Sequence, residues 1–232
     1  MNNATRILVL VAAAAVLAFA PSSKADSVMT LTGAGNNPAF NVYIGPYTAS
    51  IDGTSTQVIC DDFSHDSFLN ESWNASVTNL ATVATGAPSF NAGTGADYSE
   101  AAWLTLQLPG VPNNSQATAI QYAIWDLFDP SGVSSYLAGF SGGTSFLGDS
   151  TDVNGVQYWL NEAAGSSLSG SQLADFLIYT PTSCVSGQCL TGSSLPQEFI
   201  VYTPEPSTVL MLLMGLAALL WFKRRDRVLN LA

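Results

Sequence analysis

None of the six lysine and arginine residues lies between residues 26 and 203; Arg6, Lys24, Lys223, Arg224, Arg225 and Arg227 all sit at the two ends. The same stretch holds fifteen carboxylates, the seventeen of the whole chain less Glu205 and Asp226. A fold made from it cannot rest on salt bridges, apart from whatever the lone His65 supplies. Burial of apolar surface and hydrogen bonding must hold it together. Without cationic side chains, the segment is also a poor match for nucleic-acid phosphates or an anionic membrane surface, so no nucleic-acid partner is expected.

The ends have a different character. Arg6 precedes an apolar run over 7–20, and Ser23-Lys24-Ala25 places small residues three and one positions before a cut ahead of Asp26, the pattern signal peptidase reads. At the other end Pro204-Glu205-Pro206 leads into an apolar run over 208–222, closed by Lys223, Arg224, Arg225 and Arg227. At ~1.5 Å per residue this run spans roughly 22 Å, short of the ~30 Å hydrocarbon core, so it predicts a marginal transmembrane helix. The basic cluster stays on the cytoplasmic side of the inner membrane and leaves the preceding chain outside. The order of these parts resembles the PEP-CTERM sorting tail of exported bacterial proteins. That resemblance implies processing by an exosortase, a membrane anchor that is at least transient, and a destination at the cell surface or in the extracellular matrix. The expected organisation is a signal peptide over 1–25, an ectodomain over 26–203 and a sorting tail over 204–232.

Within the ectodomain the early segments VMTLTG, AFNVYIG, YTASIDG and TQVICDDF read as strands, with a hairpin expected around Gly45-Pro46. SWNASVTNL alternates apolar and polar residues with the period of a half-buried strand. Helices follow. Asp97 with Glu100 suggests a capping box opening YSEAAWLTLQL, and Ser115 a cap for QATAIQYAIWDLF, stopped at Asp129-Pro130. A third helix is expected from Asp152 to Gly165 and a short fourth near 172–176, while Ser141-Gly142-Gly143 reads as a loop. FLIYTP and QEFIVYT return the chain to strand. The prediction is an α+β fold: a β-sandwich or barrel-like ectodomain with a helical insert, flanked by an N-terminal signal helix and a C-terminal transmembrane helix.

Three cysteines remain. Cys184 and Cys189 bracket a turn-rich VSGQ, and a chain bound for an oxidising compartment is expected to join them in a local disulfide. Cys60 is then odd. It is either a small buried hydrophobe or a functional thiol.

A functional reading pairs Cys60 with the helix around AIQYAIW, where Gln121 and Trp125 share one face four residues apart. An apolar residue before a cysteine (Ile59-Cys60), followed downstream by Ile120-Gln121 and Ile124-Trp125, resembles the thioester domains of bacterial surface adhesins. The resemblance implies that Cys60 is the thiol and Gln121 the acyl donor of an internal thioester that captures an amine-bearing surface ligand. Trp125, with Trp73 or Trp103, would shield that bond from water. The absence of lysine between 26 and 203 suits a domain carrying such an electrophile. The alternative is a non-covalent structural component of the surface or matrix.

CDDFSHD offers Cys60, Asp61, Asp62, His65 and Asp66 as metal ligands on paper. It contains the chain's single histidine and lacks the spacing of a calcium loop, so neither a metal nor a cofactor is expected. A Cys60-His65 nucleophile pair would face opposite sides of a strand and meet only if the chain bends. Catalytic turnover is not expected.

Overall fold

Strand-forming segments at both ends of the ectodomain pair with one another, and the helices between them ride on the sheet that results. The computed structural model describes residues 26–35, 37–83, 94–111, 113–185 and 195–203. The proposed signal peptide, Cys189 and the sorting tail with its apolar run lie outside these residues. Among the described residues no helix is long and apolar enough to cross a membrane.

The strands in chain order are β1 (Ser27–Gly33), β2 (Asn37–Ala39), β3 (Val42–Ile44), β4 (Tyr47–Ile51), β5 (Thr54–Cys60), β6 (Ser72–Asn79), β7 (Phe176–Cys184) and β8 (Phe199–Tyr202). Six of them close a barrel in the order β1-β4-β5-β8-β7-β6, with β6 returning to β1. Every neighbouring pair is antiparallel. The barrel form of the expected fold is therefore the one adopted, and closure leaves it without an open edge. Tyr47, Ala49 and Ile51 turn inward from alternate positions of β4, as a period of two requires. Trp73 of β6 is fully buried and stacks on Phe199 of β8, ring centroids 5.9 Å apart.

The hairpins differ from the expected ones. Asp52 and Gly53 both have positive φ and join β4 to β5 in a two-residue turn; Phe40 and Asn41 do the same between β2 and β3. Gly45-Pro46, read from sequence as a hairpin turn, is instead a cis peptide that carries the chain from the small β2-β3 sheet into the barrel. A Gly-Pro pair marks a change of direction, but register decides which strands it joins.

Between β6 and β7 lies the helical insert: α1 (Leu80–Val83), α2 (Gly95–Gln107), α3 (Asn114–Phe128), α4 (Pro130–Leu137), α5 (Gly143–Gly148), α6 (Val156–Ala164) and α7 (Gly170–Leu173). Helix α3 packs against α2, α4 and α6 and touches β3, so residues 117–125 are buried without interruption. The caps lie upstream of the expected positions. Thr94 and Asp97 form the capping box of α2, and Asn113 rather than Ser115 caps α3, its side chain accepting from the Gln116 N–H at 3.0 Å. Helix α6 begins at Val156, because Asp149 and Asp152 spend their carboxylates on the turn before it. Asn113→Ala should therefore cost about 1 kcal/mol in denaturant unfolding. Ser115→Ala should stay within about 0.5 kcal/mol. The reverse ranking would restore Ser115 as the cap.

Candidate functional site

Cys60 is the last residue of β5 and pairs with Phe199, at the barrel end covered by α3. Gln121 lies in the middle of α3. Both are fully buried. The Gln121 amide Nε2 donates to the Cys60 backbone carbonyl at 2.7 Å, so strand end and helix are tied at the two residues the sequence singles out. The other half of that carboxamide, Oε1, is buried with no hydrogen-bond donor. A buried carbonyl oxygen left without a donor is uncommon and calls for an explanation.

Gly45 makes the approach possible. A Cβ built there would stand 2.7 Å from Gln121 Oε1 and 3.2 Å from the Tyr47 ring. Because α3 touches β3, the residue that follows β3 must lack a side chain for the carboxamide to fit.

Trp125, one turn beyond Gln121, closes the site from the outside. Its ring lies 5.1 Å from Phe63 and 5.0 Å from Tyr122, and Phe63 also meets Tyr136 edge-on at 5.4 Å. Trp125, expected from sequence to shield the site, is thus packed among aromatic rings. Trp73 stacks on Phe199, the register partner of Cys60, and Trp103 faces Trp159 across the insert. Burial pushes the Cys60 thiol well above the ordinary range, and the charges of Asp62 and Asp61 push it further. The hydrogen bond with the Asp62 backbone opposes that shift. At neutral pH Cys60 is a thiol, its Sγ 3.1 Å from the Asp62 carbonyl.

The chain bends directly after Cys60, and the acidic cluster splits in two. Asp62, fully buried, accepts from the Ser64 N–H at 2.9 Å and holds His65 Nδ1 at 2.7 Å. Asp62 thus stands between the two members of the Cys60-His65 pair considered from sequence, its carbonyl on the thiol and its carboxylate on the ring. Asp61 faces the opposite way, toward Glu198. Burial and the Glu198 charge raise the Asp61 carboxyl well above its usual range. Glu198 itself is raised by burial, against hydrogen bonds from Thr180, Tyr98 and Asp61; the Tyr98 hydroxyl donates at 2.5 Å. With no cation beside them among the described residues, both carboxyls hold their protons more tightly than free ones do. Among the described residues, no group of three or more His, Cys, Asp or Glu is arranged to hold a metal ion.

Outside Trp125 opens a cavity of about 630 Å³. Phe63, His65, Tyr47 and Trp125 form its wall, and the exposed Tyr43, Phe68 and Leu69 stand at its rim. Cys184 ends β7, and the residue expected to bond it, Cys189, lies outside the described residues. Sequence reasoning missed Gly45, Phe63 and the Asp61-Glu198 pair. A glycine beside a strand and an apolar residue inside an acidic run were the only local hints.

Residues 203–227 match the PEP-CTERM protein-sorting motif. The N-terminal thioester domain of a protein F2-like fibronectin-binding protein from Streptococcus pneumoniae aligns with 76% of this chain and 92% of its own, at 13% identity and a TM-score of 0.44. No curated protein matches the chain.

Proposed function

We propose that this chain, an exported protein bearing the PEP-CTERM sorting motif at 203–227, attaches covalently to amine-bearing partners through a thioester between Cys60 and Gln121. The motif implies exosortase processing and a membrane-anchored intermediate; signal peptidase at Ala25, the 208–222 span and a final place at the cell surface or in the matrix belong to the same proposal. So does a Cys184-Cys189 disulfide. No catalytic turnover, metal or cofactor enters this reading.

The observation that carries it is the 2.7 Å hydrogen bond from the Gln121 amide to Cys60's own carbonyl, inside a sealed aromatic pocket. Attack of Cys60 Sγ on Gln121 Cδ forms the C–S bond and breaks the C–N bond. The thiol proton leaves on nitrogen as ammonia, so no oxidant or cofactor is consumed. Holding the two residues together lowers the barrier to such a step. Trp125, Phe63 and Tyr122 then keep water from the product. An incoming amine takes the acyl group and leaves a stable amide, while the lack of lysine over 26–203 removes internal competitors.

A second reading, a non-covalent surface or matrix protein with Cys60 as a core residue, draws support from the complete burial of that thiol. Intact mass separates the two. The purified processed protein should be lighter by one ammonia, and Cys60→Ala and Gln121→Ala should each remove the deficit. A gently prepared protein of full mass, with Cys60 freely alkylated after unfolding, leaves only the second reading. Alkylation of the folded protein does not discriminate, because a buried thiol resists it in both cases.

A further inference from the structure

We infer that His65 is the base that deprotonates the nucleophile opening the Cys60–Gln121 bond, acting from the cavity outside Trp125; this rests on the thioester reading above. Three observations place it there. His65 and Trp125 line the same cavity, and Trp125 is the ring that closes the site over Cys60. His65 is held by a fully buried carboxylate, Asp62 Oδ2 on Nδ1 at 2.7 Å, which fixes the ring's orientation. Asp62 also contacts the thiol through its backbone carbonyl, so one residue sets the position of both ring and sulfur.

The other ionisable groups in the cavity are less suited. Tyr47 is pushed well above its ordinary range by burial and by the Cys60 and Tyr122 charges, so it holds its proton. Tyr43 and Asp66 are exposed at the mouth. Asp61, though buried nearby in sequence, is occupied with Glu198. The rest of the lining carries no charge: apolar Leu31, Val42 and Phe63 alternate with neutral Asn41, Ser67 and Gln197.

An amine reaches the protein as an ammonium ion, which has no lone pair with which to attack. His65 takes one proton from it and later returns that proton to solvent. The neutral amine forms a bond to Gln121 Cδ, the C–S bond breaks, and the second nitrogen proton passes to the departing Cys60 sulfur. The products are a substituted amide at Gln121 and a Cys60 thiol. Asp62 is a positioning residue in this scheme, holding the imidazole and balancing its charge when it is protonated.

The test is the rate at which methylamine opens the bond, followed by the gain of mass. His65→Gln should keep the ammonia deficit, which shows that the site has assembled, and should open roughly 10²-fold more slowly than wild type. Imidazole added to the buffer should restore much of the rate. Asp66→Asn should open within about threefold of wild type, since an exposed carboxylate at the mouth is not part of the transfer. A second measurement does not depend on the variant folding: His65 is the only histidine and no lysine lies over 26–203, so acylation of the assembled wild-type protein with diethyl pyrocarbonate targets this ring and should slow opening likewise. Wild-type rates in both His65→Gln and the acylated protein overturn the inference, as does a slow variant that imidazole does not rescue. A wild-type protein without the deficit removes the thioester and this role together. A deficit with no His65 dependence removes only the role.

Discussion

Gly45→Ala should fold and yet form the Cys60–Gln121 bond roughly 10²-fold more slowly, because the new methyl group occupies the space of the reacting carboxamide. Its Cβ would stand 2.7 Å from Gln121 Oε1, closer than real contacts allow, and 3.2 Å from Tyr47. The amide end can yield only by giving up its hydrogen bond to the Cys60 carbonyl, the contact that sets the geometry. Gly45 is not in the left-handed region, so the substitution tests space rather than backbone strain. Gly110→Ala, with nothing near its Cβ, is the matched control and should form the bond at the wild-type rate. The check is the fraction of protein lacking one ammonia at a series of times after refolding. An alanine variant that matches wild type throughout would show that the close approach of Gly45 does not position Gln121.

The second large effect is a loss of stability as pH rises. Asp61 and Glu198 are both raised by burial, and Glu100 and Asp126 are raised by burial with a neighbouring carboxylate adding to the shift. A carboxyl raised in the folded state keeps its proton where the unfolded chain, near pH 4, has already lost it. Its contribution is therefore complete below the unfolded value and declines as pH climbs through the folded one. Each unit of such a shift corresponds to about 1.4 kcal/mol at the buried Asp61 and Glu198, and to less at Glu100 and Asp126, where solvent screens the charge. Asp149 runs the other way, lowered by hydrogen bonds from Thr151 and Asp152, but it is exposed and acts alone. The urea midpoint should be highest near pH 4.5 and fall steadily toward pH 8. Asp61→Asn should flatten that fall, because an amide still donates to Glu198 and has no proton to lose. Added salt should also flatten it by screening fifteen carboxylates that no lysine or arginine offsets. A midpoint that climbs from pH 4.5 to pH 8, or an Asp61→Asn profile parallel to wild type, would contradict the raised carboxyls at this pair.

Periodicity made the barrel and its insert legible. SWNASVTNL carries a two-residue pattern in β6, FLIYTP is apolar enough for the strand β7, and QATAIQYAIWDLF carries an apolar face broad enough for a helix buried as deeply as α3. Cys60 and Gln121 were legible because motif and helix face agree, and the structure brings them into contact. What escaped has a common cause. Helices α4 and α5 are short and hold Gly, Ser and Pro, so their local pattern resembles loop; packing against α3 and against each other stabilises them. Asp61 finds Glu198 only because β5 and β8, far apart in sequence, meet in a register that no local window contains. The same holds for Gly45, whose need for a missing side chain depends on an oxygen seventy-six residues away.

The sorting motif begins at residue 203, immediately after β8 ends at Tyr202. The motif therefore follows the barrel stave beside β5 directly in sequence. Tension applied to residue 203 runs along β8, whose ladder bonds to β7 and β5 lie across the strand and so share the load together instead of parting one by one. A strand loaded from its end in this geometry resists shear. The stave that bears the pull also pairs Phe199 with Cys60, so a force strong enough to slide β8 would act directly on the thiol's own strand.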